Sequence, residues 1–195
     1  MIRCAVFDAD GTLIDSLGVW READEVYFKS LGLELTDEIY AGFLDMTYGE
    51  SIAYVKKRFS LPGSEKQISD GIMKIVAEKY ETEVKLVPDA EPFIRSLHAL
   101  GIPMAIATAN DKELVKKALL RNGILDLFSY IVTCDETGTN KNSADVYIRA
   151  ASLLGFSPGE TLVVEDDEKY VRVAREAGFT AVHISELRRL DLGKQ

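Results

Sequence analysis

No apolar run in the 195 residues approaches the roughly 20 that a membrane-spanning helix requires. Nor does a basic, apolar, small-residue leader stand before the first apolar segment, and the expectation is a cytoplasmic protein without a membrane partner. Cysteine is scarce: Cys4 and Cys134 are too few and too far apart for a disulfide framework or a zinc site, and Cys4 reads as a strand filler. Positive charge is in deficit, with 23 Lys and Arg against 32 Asp and Glu and a formal net charge of −9. A phosphate polymer would be repelled unless a strong local basic patch existed, so nucleic acid is not an expected partner. The densest basic run, Lys56-Lys57-Arg58, reads as a solvated helix face. Histidine is limited to His98, on an amphipathic stretch, and His183, in or near the last apolar segment; both read as structural. The length permits one domain, or one domain with an insertion.

What the chain does have is concentrated in its opening. Cys4-Ala5-Val6-Phe7-Asp8-Ala9-Asp10-Gly11-Thr12-Leu13 begins as an apolar run bounded by Asp and Gly, the pattern of a buried strand that stops at a turn. Residues i and i+2 of extended chain face one side, so Asp8 and Asp10 can point at one spot. Like charges that close raise a pKa or demand a cation. Taken alone, the tetrapeptide Asp-x-Asp-Gly is equally a solvated turn.

Residues 16–83 then predict helices, with no convincing strand among them. Residues 20–31 place Ala23, Val26, Tyr27 and Leu31 at helical spacing, and Gly32 stands where a C-terminal cap would. Thr36 can cap a second helix carrying Ile39, Tyr40, Phe43 and Leu44. A third runs over 51–59, and Ser64-Glu65-Lys66-Gln67 is a capping box opening a fourth, with Ile68, Ile72, Ile75, Val76 and Lys79 along one stripe. Four such helices in succession make a small bundle with its own core.

From Val87-Pro88 onward the patterns alternate, with helices over 91–100, 111–121, 144–154 and 169–177 and strands over 102–107, 130–134, 161–164 and 180–184. Strands apolar almost throughout, each separated by an amphipathic helix, imply a parallel sheet covered on both faces. The expected fold is therefore α/β: a doubly wound, Rossmann-like parallel sheet formed by residues 1–15 and 84–195, with an α-helical insertion at 16–83.

In open parallel sheets ligands bind outside the carboxyl ends of the strands. After the strand 102–107 come Thr108-Ala109-Asn110, where a hydroxyl, an amide and the free N–H groups of a helix start make an anion pocket suited to phosphate. Asn110 or Asp111 is equally a helix cap. Lys141 follows the polar loop 135–140, and reads either as solvated surface or as the cation a phosphate would need. Past Val164 lies Glu165-Asp166-Asp167-Glu168, of which Asp167 and Glu168 favour the N-terminus of the next helix. Asp8, Asp10, Glu165 and Asp166 on one sheet edge would repel severely without a counter-ion, and Mg²⁺, which takes oxygen ligands and bridges to phosphate, fits.

With these motifs in order, the sequence resembles the haloacid dehalogenase superfamily of phosphotransferases over nearly the whole chain. Phe7-Asp8-Ala9-Asp10-Gly11-Thr12-Leu13 is similar to the family's first motif, Thr108 to its second, Lys141 to its third and Glu165-Asp166 to its fourth. The insertion is similar to the helical cap of members such as phosphoglycolate phosphatase and β-phosphoglucomutase. Two departures stand out: Lys141-Asn142-Ser143-Ala144-Asp145 lacks both prolines of the frequent Lys-Pro-x-Pro-Asp, and Asp167 and Tyr170 replace the usual Ser and Gly after Glu-Asp.

The resemblance implies a Mg²⁺-dependent phosphatase acting on a small phosphorylated metabolite, as a monomer or small homo-oligomer. Asp8 would be the nucleophile and Asp10 the general acid and base. Asp8, the main-chain carbonyl of Asp10, Glu165 and Asp166 would hold the metal. Thr108, the N–H of Ala109 or Asn110, and Lys141 would bind the phosphoryl group. Closure of the helical cap would supply specificity, with Trp20 either core or facing the pocket. The runner-up is a sugar-phosphate mutase, disfavoured because the first cap helix lacks the histidine of those relatives. A receiver-like signalling domain, or a non-catalytic phosphate-binding scaffold, is the reading from another class.

Overall fold

The computed structural model describes residues 1–43, 46 and 48–189. In chain order, β1 (Cys4–Phe7) leads into α1 (Val19–Ser30), α2 (Asp37–Ala41), α3 (Tyr48–Phe59) and α4 (Glu65–Thr82). There follow α5 (Ala90–Ala99), β2 (Met104–Thr108), α6 (Lys112–Arg121), β3 (Tyr130–Thr133), α7 (Cys134–Thr137), α8 (Asp145–Leu154), β4 (Thr161–Glu165), α9 (Glu168–Glu176) and β5 (Thr180–His183). The chain divides into two compact units, one of Met1–Leu17 with Tyr80–Gln195 and the other of Gly18–Lys79. Among the described residues no helix is long and apolar enough to cross a membrane.

The first unit is a five-stranded sheet in the order β3-β2-β1-β4-β5, with every pairing parallel. The sequence expectation of a parallel α/β sheet holds, and the reason is visible in the burial: β1, β2 and β4 are buried at every position, because helices cover both faces. On one face Val6, Ala105, Val132, Val163 and Ala181 pack with Tyr147, Ala150 and Ala174 of α8 and α9. On the other, Phe7 meets Phe93 of α5 and Phe128 edge-on, with ring centroids 6.2 and 6.0 Å apart. A fully buried side chain of this size contributes about 1.5–3 kcal/mol. Because β1 is central and the chain winds first toward β3 and later toward β5, the winding direction reverses beside β1 and β4. That reversal opens a crevice at their carboxyl ends.

Several boundaries move by a residue or more from those expected, and three changes matter. Thr108 and Glu165 are the last residues of β2 and β4, not the first beyond them, because their backbones still pair with Thr133 and His183. Cys134 does not end β3 but opens the single turn α7. Thr133 caps it, accepting from the Glu136 N–H while Glu136 accepts from the Thr133 N–H, so part of the expected loop 135–140 is helical. Helix α3 begins at Tyr48, ahead of the expected residue 51.

The second unit holds α1 to α3 and most of α4. Thr36 Oγ1 accepts from the Ile39 N–H, and Ser64 and Gln67 exchange backbone-to-side-chain hydrogen bonds as a capping box. The apolar stripe of α1 differs from the expected one: Val19, Ala23 and Phe28 are buried, whereas Val26 and Leu31 are exposed. Phe28 packs edge-on against Phe59 of α3 at 5.4 Å, and Ile68, Ile72 and Val76 of α4 complete this core, with Ile75 only half-buried. Lys79 pairs with Glu22 at 2.8 Å. Gly71 is where α4 meets the Tyr27 ring, since a Cβ there would overlap it. Trp20 is half-buried and packs against Tyr48. Of the basic run on the last turn of α3, Lys57 and Arg58 lie exposed while Lys56 is half-buried. Leu44, expected on the second helix, lies outside the described residues.

Candidate active site

Four segments converge at the carboxyl edge of the sheet. The backbone N–H of Asp8 donates to the Val164 carbonyl at 3.0 Å, which sets Asp8 at the end of β1 directly beside the end of β4. Beyond Asp8 the chain turns sharply: Leu13 and Ile14 both donate to the Ala9 carbonyl, and Gly11 donates to the Ile14 carbonyl. Gly11 adopts φ +85°, a conformation that L side chains rarely take. A Cβ there would overlap the Asp166 carboxylate and press on Leu17, so the glycine serves both the turn and the approach of Asp166. Gly11→Ala is expected to destabilise the protein by about 1–3 kcal/mol. A thermal melt checks this, and a melting temperature equal to that of the unsubstituted protein would contradict it.

Asp8, Glu165 and Asp166 each present a carboxylate oxygen within 4.8 Å of the others. Asp8 and Glu165 are buried, and burial pushes the carboxyl of each upward from its ordinary value, against the attraction of Lys141. Asp166, half-buried, is raised for the same first reason.

Lys141 is the cation between them. It is 5% exposed and donates to Asp8 and, at 2.7 Å, to Glu165. Of the two sequence readings, solvated surface is therefore excluded. Burial alone would lower its ammonium pKa, but Asp8 and Glu165 together reverse the sign and raise it. The rings of Tyr147 and Tyr170 lie 5.9 and 5.8 Å from its nitrogen. Tyr147 also donates to Glu165 at 2.6 Å; burial first, then Glu165, raises its hydroxyl pKa and keeps it a donor. Sequence reasoning missed Tyr147, which sits on the apolar stripe of α8 with no local signal to mark it.

Asp10 is half-buried and its carboxylate is held by a different set of groups. Ser16 donates to Oδ1 at 2.6 Å, Tyr80 donates to the same oxygen, and Asn110 Nδ2 reaches Oδ1 at 3.2 Å and Oδ2 at 3.1 Å. Thr108 is fully buried at the end of β2, and its hydroxyl accepts the Asn110 N–H at 3.0 Å. That N–H is thereby already engaged, while Ala109 is exposed. The choice of helix cap resolves in favour of Asp111, whose Oδ1 accepts from the Glu113 and Leu114 N–H groups. Asn110 is thus free of capping and turned toward Asp10.

Asp167 caps α9 through the Lys169 N–H at 2.7 Å, as its position suggested. His183 is more than a packing residue. Its Nδ1 accepts from the Ser185 N–H, which leaves the Nε2–H to donate to the Asp166 carbonyl at 2.7 Å. Such bonds to the backbone of a carboxylate residue orient it.

Three clustered oxygen ligands suit a hard divalent cation. Glu165 Oε2 gives an independent sign of fit: it is buried without a hydrogen-bond partner among the described residues. An orphaned buried carboxylate oxygen costs free energy that a cation would offset.

The haloacid dehalogenase-like hydrolase family matches residues 5–184. The chain is 26% identical over 185 residues to the bifunctional riboflavin kinase/FMN phosphatase of Arabidopsis thaliana, a match covering 94% of this chain and 48% of that protein, about half its length. It is 25% identical over 192 residues to phosphoglycolate phosphatase of Neisseria gonorrhoeae, covering 94% of this chain and 80% of that one. Among solved structures, CbbY from Rhodobacter sphaeroides in complex with phosphate aligns with a TM-score of 0.74 at 26% identity, over 94% of this chain and 86% of that chain. The family match takes in every strand-end residue from Asp8 to His183. The chain belongs to the haloacid dehalogenase-like hydrolase family.

Proposed function

We propose that the protein is a Mg²⁺-dependent phosphatase that hydrolyses a small phosphomonoester through an aspartyl-phosphate on Asp8. The observation that carries this reading is the meeting of Asp8, Lys141, Glu165 and Asp166 at the crevice between β1 and β4, with Asp10 beside them. Relatives named as phosphatases support the reaction class.

An Asp8 oxygen attacks phosphorus in line, forming the P–O bond to Asp8 as the ester P–O bond breaks. Asp10 gives its proton to the departing alkoxide. In the second half Asp10 takes a proton from water, whose oxygen bonds to phosphorus as the bond to Asp8 breaks, and both carboxyls return to their starting forms. Lys141, held on two carboxylates, meets the developing charge on the phosphoryl oxygens, with the Thr108 hydroxyl and the Ala109 N–H as further donors. The carboxylates of Asp8 and Asp166 and the main-chain carbonyl of Asp10 would hold Mg²⁺, with Glu165 direct or through water. When bound, the ion supplies charge neutralisation to the transferring group.

A panel of small phosphomonoesters is expected to yield inorganic phosphate with Mg²⁺ present. Chelation by EDTA should remove that activity and lower the melting temperature. Absence of phosphate release across the panel would end this reading, and isomerised sugar phosphate without free phosphate would favour a mutase.

A further inference from the structure

The proton that Asp10 moves can ride on either of its two oxygens, and the hydrogen bonds around it distinguish them. Among the described residues Oδ1 has three donors, from Ser16, Tyr80 and Asn110, whereas Oδ2 has only a share of the Asn110 amide. The Tyr80 hydroxyl is the member of this set with a fixed direction. Asn110 Nδ2 donates to it at 2.8 Å, so its own proton points on to Asp10 Oδ1. Tyr80 is fully buried, so these bonds are made out of contact with water.

The position of Tyr80 in the chain is equally specific. It is the first residue of the first unit after the chain returns from the second, and lies in the final turn of α4. The hydroxyl is therefore carried by a helical residue and not by a loop.

We propose that Tyr80 is a positioning residue for proton transfer: by holding Oδ1 of Asp10 it leaves Oδ2 to carry the proton given to the leaving group and later taken from water. This rests on the phosphatase reading above. Hydrogen bonds donated to Oδ1 strengthen as charge gathers on the carboxylate, so their benefit is felt in the transition state and not in substrate binding. An ester whose leaving group departs without a proton has no need of it.

The test compares wild type and Tyr80→Phe, each with Mg²⁺, on an alkyl phosphate and on p-nitrophenyl phosphate. The variant should lose about tenfold in kcat/KM on the alkyl ester, the worth of one such hydrogen bond. The loss should fall in kcat with KM little changed, and should be much smaller on the aryl ester, so that the alkyl-to-aryl ratio drops. A merely structural role would depress both esters alike. Equal losses, a loss confined to KM, or no loss would overturn the proposal while the wild-type activity left the phosphatase reading intact. Should Tyr80→Phe not fold, as judged by circular dichroism, a fluorotyrosine placed at position 80 keeps the ring and hydroxyl but changes the donor strength. The same ratio must then move, and an unchanged ratio overturns the proposal. If wild type cleaves neither these esters nor any of the panel, the phosphatase reading falls and this inference falls with it.

Discussion

Asp8→Asn is expected to lower phosphate release by about a thousandfold or more, the scale seen when a covalent nucleophile is removed. The amide keeps the shape of the side chain and can still accept from Lys141, but it cannot form a stable acyl-phosphate and regenerate itself. The fold should survive. Burial already disfavours the charge on Asp8, so a neutral amide relieves that cost, and Lys141 retains its bond to Glu165. Steady-state phosphate release together with a melting curve checks both halves. Near-wild-type turnover in a folded Asp8→Asn protein would remove Asp8 from the role of nucleophile.

Removing the cation should act on stability as much as on rate. Lys141→Met keeps the length and the contact with the Tyr147 and Tyr170 rings but leaves two buried carboxylates facing each other. Breaking a buried pair from one side costs about 3–5 kcal/mol. The sign of the pH dependence follows from the carboxyls that remain. Asp8 and Glu165 already hold their protons more tightly in the folded protein than in the unfolded chain, because they are buried. Without Lys141, which opposes that shift, they hold them more tightly still. Groups raised in this way contribute stability that is fully present below the ordinary carboxylate range and is lost as pH rises through the raised folded value. The variant should therefore be most destabilised near neutral pH, should recover toward wild type on mild acidification, and should regain part of the loss when Mg²⁺ is added. Urea unfolding at several pH values, with and without the ion, measures this. A deficit independent of pH would mean that the lysine acts through packing and not through charge.

Local pattern carried much of this molecule. The apolar strands and amphipathic helices predicted a parallel, doubly covered sheet because periodicity reports which faces are dry, and β1, β2 and β4 are dry on both. Short-range capping chemistry was equally legible, as at Thr36 and at Ser64 with Gln67. The turn at α7 follows the same rule, in the Thr133-Cys134-Asp135-Glu136 pattern.

What no local pattern could decide is which polar side chains meet. Lys141 and Asp8 are 133 residues apart in the chain, Asn110 and Asp10 are 100 apart, and Tyr80 and Asp10 are 70 apart. By sequence alone the Asp8/Asp10 pair and the acids after Val164 pointed to metal and phosphate chemistry, and the strand ends told where to look. Tertiary structure alone decided that Lys141 is buried, that Asp111 and not Asn110 caps its helix, and that Tyr147 and His183 brace Glu165 and Asp166. The physical reason is that a helix or strand is selected by neighbours a few residues away. Hydrogen-bond partners in a closed site are selected by the register of the sheet, which places the ends of β1, β2 and β4 side by side however far apart they lie in sequence.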